Sequence, residues 1–285
     1  MIESPIDVWT SQAIPAGSSR YYALLHCEQP SRSSAVITLI TIWSRLCFSN
    51  REMEAAKKQI DWWQSEIHRN TPQHPVTQQL LRNIDNIEHQ SQLLQQLDDV
   101  LHGYASLVTE GSPSRPEPYT LFHQRTGASA AMALTGLPTP DTQQTVQSIG
   151  IALSEFRCIR HLHKHVASGL LCLPLAALEA ADLSPKLLTP GQYPEALVQF
   201  LSKRLTSIDQ QLTDSLHHLP AECPNAVFLY VYARLQQKLL RYIQKEVTVL
   251  DQPDIRLSPL RNFWLARAAA RQQLKQRKLV GRAES

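Results

Sequence analysis

The sequence predicts an all-α, single-domain helical bundle, and three observations carry that prediction. Apolar residues recur at spacings of three and four through long windows, while alternating strand patterns are almost absent. The breaks between windows are rich in proline (18 Pro against 9 Gly), which lacks the amide proton and the clearance that a helix interior needs. No break is long enough for an interdomain linker, and no period of about 20–50 residues recurs, so neither two domains nor a solenoid is indicated.

Taken in order, Ser31 to Phe48 places Val36, Leu39, Ile40, Trp43 and Leu46 on one stripe. Arg51 to Arg69 does the same with Met53, Ala56, Ile60, Trp63 and Ile67, until Pro72 and Pro75 stop it. Adjacent Trp62 and Trp63 point about 100° apart on a helix, so one faces the core and the other is left for a groove. Further helices are predicted over Val76–Glu88, Gln92–Val108, Pro118–Thr135, Thr142–Val166, Tyr193–His217, Ala226–Lys245 and Leu260–Leu279. Asp98-Asp99, with His102 and Tyr104 nearby, reads as a solvated face rather than an acid/base pair, because adjacent residues diverge. The small-residue stretch Gly127 to Ala131 permits close helix packing or room for a chain-like ligand. Asp141 is placed to cap the helix that starts at Thr142.

With 285 residues, 43% hydrophobic and 19% charged, the chain has the composition of an ordinary globular protein. No GxGxxG or GxxxxGK[ST] stretch occurs, which removes the main support for nucleotide-binding folds. No apolar run of about 18 residues and no secretory leader are visible, so a cytoplasmic location is expected. Five scattered cysteines (Cys27, Cys47, Cys158, Cys172, Cys223) without a CxxC read as buried reduced thiols. The net charge of +3 conceals a basic C-terminus: Arg261, Arg267, Arg271, Lys275, Arg277, Lys278 and Arg282 face only Glu284. Such a segment can meet an anionic membrane surface or an acidic protein partner. No motif supports specific nucleic-acid recognition.

Three segments resemble the squalene/phytoene synthase family. They are Arg20-Tyr21-Tyr22-Ala23-Leu24-Leu25 with the helix to Arg45 and Ile60 to Glu66, then Gly127 to Met132, then Ile149 to Leu153 through Arg160 to Gly169-Leu170-Leu171-Cys172-Leu173-Pro174. The resemblance implies the class I isoprenoid synthase fold over residues 19–270, between an N-terminal extension (1–18) and a basic tail (271–285). It also implies two aspartate-rich motifs that hold Mg²⁺ against a prenyl diphosphate, since Mg²⁺ prefers carboxylate and water oxygens.

At the matching positions the carboxylates are gone. Phe48 and Ser49 stand in the first motif, after Arg45, where only Glu52 is acidic; His161, Lys164 and His165 stand in the second, after Arg160. Mg²⁺ binding by this set is unfavourable, because basic groups have replaced the oxygen ligands. Arg45, Arg157, Arg160, His161, Lys164 and His165 form instead a candidate site for a diphosphate or another anion, bound without metal. Alternatively, the last four mark a helix C-terminus, where basic groups suit the dipole. His161 and His165, at i and i+4, make half a zinc site with no evident third ligand.

No catalytic residue, metal or cofactor is predicted. The resemblance implies a non-catalytic protein that binds an isoprenoid, a quinone-like lipid or a protein partner. Loss of the aspartates also marks a mitochondrial complex I assembly factor of this family, which points by analogy to an accessory role for a membrane complex. The alternative is an active prenyltransferase with an atypical diphosphate site, for which Mg²⁺ would be the cofactor.

Overall fold

A computed structural model describes residues 5–283 except 50, 51, 85, 114, 137, 186, 187, 189, 221, 224 and 253; of Pro5, Ser49 and 278–283 it describes the backbone alone. Among the described residues every regular element is helical: α1 (Pro5–Ala13), α2 (Ser19–Leu24), α3 (Pro30–Ser49), α4 (Met53–Ile67), α5 (Pro75–Arg82), α6 (Ile87–Glu110), α7 (Pro116–His123), α8 (Ser129–Thr135), α9 (Pro140–Arg160), α10 (Leu162–Ala167), α11 (Leu175–Glu179), α12 (Glu195–His217), α13 (Ala226–Lys245) and α14 (Pro259–Ala283). A π-helical turn, Gln124–Ala128, joins α7 to α8, and a 3₁₀ turn, Val247–Asp251, follows α13.

Local chemistry sets the boundaries. Proline opens α5, α7 and α9, where the missing amide costs nothing. The Asn86 side chain accepts from the Glu88 and His89 amides at the start of α6. Gly136, at φ +73°, ends α8 in the left-handed region that glycine tolerates. Asp141 does not cap α9: Thr139 is the N-cap residue, Pro140 is the first helical residue, and Asp141 falls in the first turn, where its charge still suits the dipole. The window Pro118–Thr135 is one helical run interrupted by the π turn, and Thr142–Val166 is two helices, broken at His161 (φ −109°, ψ 22°). Helix α14 is continuous across residue 271, so its basic residues extend a packed helix.

Two hydrophobic clusters fill the interior. One joins α3–α6 around Trp43, Trp63, Leu97 and Tyr104; the other joins α9, α12 and α13 around Phe156, Leu205 and Phe228. Trp63 is buried against Trp43, edge to face at 6.0 Å, whereas Trp62 is 39% exposed, which is the division expected of the adjacent pair. Asn225, buried at φ +51°, ties the halves together: its side chain donates to the Leu134 carbonyl and accepts from the Glu28 amide.

The π turn meets α9 at two glycines. A Cβ on Gly127 would lie 2.5 Å from the Gly150 carbonyl oxygen, and one on Gly150 would lie 2.2 Å from that of Gly127. Only paired glycines allow the backbones this close. The resulting seam forms one wall of the cavity between the clusters.

Candidate functional site

A cavity of about 80 Å³ lies between α3, the π turn, α8, α9 and α13. Ile37, Ile40, Ala131, Leu153, Phe228 and Leu229 make it apolar, and Arg20, Arg157, Ser154, Thr126 and Tyr232 supply its polar groups. Arg20 is held in place by donating to the Ala13 carbonyl (3.1 Å) and the Thr41 hydroxyl (2.7 Å). Arg157 lies over the ring of Tyr104, 5.7 Å from its centroid. Behind the wall, Ser154 Oγ contacts His123 Nδ1 at 2.9 Å and Thr126 Oγ1 at 3.0 Å. Burial, reinforced by Arg157 and Arg204, pushes His123 down to about 3, so it is neutral near pH 7.

The structure does not bring the residues of the predicted anion site to one cavity. Arg157 alone of them lines the cavity. Arg160 is near enough to feel Arg20 and Tyr232; it donates to the Ile255 carbonyl, and its Nε is buried without a partner. Arg160, His161 and Lys164 border a separate shallow recess with Asp251, and exposed Lys164 points its charge to solvent. Arg45 lies on the outer surface and donates to the Gln12 carbonyl at 2.9 Å, clasping α1 to α3. His163 bonds Tyr193 Oη (2.8 Å) and pairs with Asp251 (3.2 Å), a packing role. The helix is irregular at His161, yet the His161 amide still donates to the Arg157 carbonyl (3.1 Å) and the His165 amide to the His161 carbonyl (3.0 Å), so the i, i+4 spacing of these three is kept.

The two degenerate motifs do face each other. Phe48 stacks on His165 with ring centroids 3.8 Å apart and planes 19° from parallel. An apolar ring therefore meets an imidazole where the resemblance places opposed carboxylates. Burial, with the charges of nearby basic groups, lowers His161 to about 2 and His165 to about 3, so both are neutral near pH 7. The positive charge of the cluster thus rests on Arg157, Arg160 and Lys164. Glu52 is exposed at the start of α4 with no capping hydrogen bond, and the Ser49 side chain is outside the described residues.

Two features escaped the sequence reading. Arg20 enters the cavity, although in the sequence its segment reads only as a family marker. Cys158, His165 and Cys172 converge in the core, with one ligand atom from each within 4.8 Å of the others. Burial pushes the Cys172 thiol well up. A spacing of 14 residues across a helix break carries no sequence signal for such a trio.

Comparison with known proteins places the fold. The family model for squalene/phytoene synthase matches residues 15–261. A dehydrosqualene synthase crystallised with ligand is similar with a TM-score of 0.75 at 16% identity, covering 90% of this chain and 92% of that one. Squalene synthase HpnC from Alicyclobacillus acidocaldarius is similar with a TM-score of 0.60 at 12% identity, covering 86% and 96%. No curated protein matches. At these identities the structural likeness speaks for the fold, and the family match spans most of the chain: it belongs to the squalene/phytoene synthase family.

Proposed function

We propose that this protein is a non-catalytic member of its family that binds an amphiphile, an apolar isoprenoid or quinone-like chain with an anionic or polar head, and serves as an accessory factor for a membrane complex. The Phe48–His165 stack carries the reading. Neither ring offers the oxygen ligands that Mg²⁺ takes, and together they occupy the ground between the two motifs. Ligand pockets span about 300–1,000 Å³, against about 80 Å³ for this cavity. A single chain enters if the walls part, with Arg20 and Arg157 available to its head group as fixed cations.

Thermal unfolding with farnesyl diphosphate, with and without Mg²⁺ and with chelator, tests the reading. A ligand at a hundredfold excess over its Kd adds about 2.7 kcal/mol. The expected shift survives chelation and is accompanied by no product. A Mg²⁺-dependent shift, or any condensation product, would restore the active prenyltransferase as the better reading.

The surface of α14 supports a peripheral membrane role. Leu260, Trp264 and Leu274 are exposed on it beside exposed Arg267, Arg271 and Lys275, the composition of a helix that lies on an anionic bilayer. No helix among the described residues is long and apolar enough to cross a membrane. Removing residues from 267 onward would expose the core, because Ala269, Ala270 and Gln273 are buried. Charge reversal is therefore the cleaner test. Arg267→Glu with Arg271→Glu should abolish co-sedimentation with vesicles rich in phosphatidylserine, and undiminished binding would reject the membrane role.

A further inference from the structure

Cys158 sits on α9, His165 on α10 and Cys172 on the irregular segment that follows. Their sulfurs and one imidazole nitrogen lie within 4.8 Å of one another, and all three residues are buried. His165 Nδ1 is buried with no hydrogen-bond partner. A native core normally satisfies such a group, because burying it unpaired forfeits its hydrogen bond to water. A third thiol, Cys47 on α3, lies near enough to act electrostatically on Cys172, with its Sγ 3.6 Å from the Tyr104 carbonyl oxygen.

We propose that Cys158, His165 and Cys172 bind one thiophilic divalent cation of the zinc type. Two sulfurs and an imidazole form a soft donor set that selects zinc-like ions over oxygen-seeking Mg²⁺. Zinc takes sulfur at about 2.3 Å and imidazole nitrogen at about 2.0–2.1 Å in a tetrahedron, which sets neighbouring ligands about 3.8 Å apart. From a spread of at most 4.8 Å the set needs to contract by no more than about 1 Å. Cys158 is fixed in a helix, but Cys172 follows Gly169 (φ +77°) in an irregular segment that can supply the movement. Cys47 or a water completes the fourth position.

Binding releases the two thiol protons, and the two thiolates then balance the dication, so the buried centre gains no net charge. Arg157 acts electrostatically on both sulfurs, and Arg157 and Lys164 on His165. These cations repel a bare dication but attract the thiolates that accompany it. None of the three ligands lines the amphiphile cavity, and zinc uptake is read without any amphiphile, so the two proposals fail separately although Arg157 acts on both.

The test uses the full-length reduced protein, stripped with chelator and then dialysed against Zn²⁺. Metal analysis should find one zinc per chain, and zinc should raise the unfolding temperature. Anaerobic Co²⁺ addition should give thiolate-to-metal charge transfer with tetrahedral ligand-field bands. Cys158→Ser and Cys172→Ser should weaken zinc binding about a hundredfold or more, a loss of about 2.7 kcal/mol, while Cys27→Ser should leave it unchanged. Zinc uptake below one per chain, a cobalt spectrum without thiolate charge transfer, or a binding loss that follows Cys27 would each overturn the assignment. The wild-type spectrum decides the matter even if a serine variant fails to fold.

Discussion

His123 makes this protein sensitive to acid by an amount that can be worked out. Its ring is fully buried between Tyr119 and Phe122, with Nδ1 bonded to Ser154 Oγ and Nε2 without a partner. The folded value of about 3 lies below the unfolded value of about 6.5, so the unfolded chain takes up a proton that the folded chain refuses. The group's contribution to stability is whole above about pH 6.5 and is lost as pH falls toward 3. From RT ln(1 + 10^(pKa − pH)), the loss is about 1.4 kcal/mol at pH 5.5 and about 2.7 kcal/mol at pH 4.5. Urea unfolding of wild type and His123→Asn at pH 7.5 and 5.5 isolates this group, since asparagine offers a polar atom near Ser154 and does not titrate. The variant should lose about 1.4 kcal/mol less than wild type between the two pH values. An equal loss in both proteins would refute the argument.

Other expectations follow from geometry. Gly150→Ala sets a methyl against the Gly127 carbonyl oxygen and should cost about 1–3 kcal/mol in urea unfolding, because a backbone must move. Glu66→Ala leaves the Gln73 and His74 amides, each 2.7 Å from Glu66 Oε1, without their acceptor and should cost about 2–4 kcal/mol by the same assay. Phe48→Ala removes the ring stacked on His165 and should lower the unfolding temperature by several degrees in calorimetry, for a loss of about 1–2 kcal/mol from a half-buried site.

The long amphipathic windows were legible because a period of 3.6 is set locally by which residues are apolar. Their ends were less so. The pattern runs through His161 without interruption, since Leu162 continues the apolar rhythm, and the break shows only in the backbone. The short helices α1, α2 and α11 hold too few turns for a period to register. At the site, replacement of the carboxylates could be read directly from Phe48, His161, Lys164 and His165. What those residues do instead could not. That Phe48 would stack on His165, that Arg45 would turn outward to Gln12, and that burial would keep the histidines neutral all depend on neighbours distant in sequence. Arg20 carries no local mark in the sequence of where its guanidinium lies.

The paired glycines leave the cavity with two unlike walls. Along the Gly127–Gly150 seam the lining is main chain against main chain, with no side chain to shorten, so no point mutation can carve space there. The opposite wall is made of Ile37, Ile40, Phe228 and Leu229, each of which can be traded for a smaller residue one at a time. Any change in what the interior admits therefore has to be written on side chains such as these and Leu153 of α9, while the glycine seam acts as a fixed template.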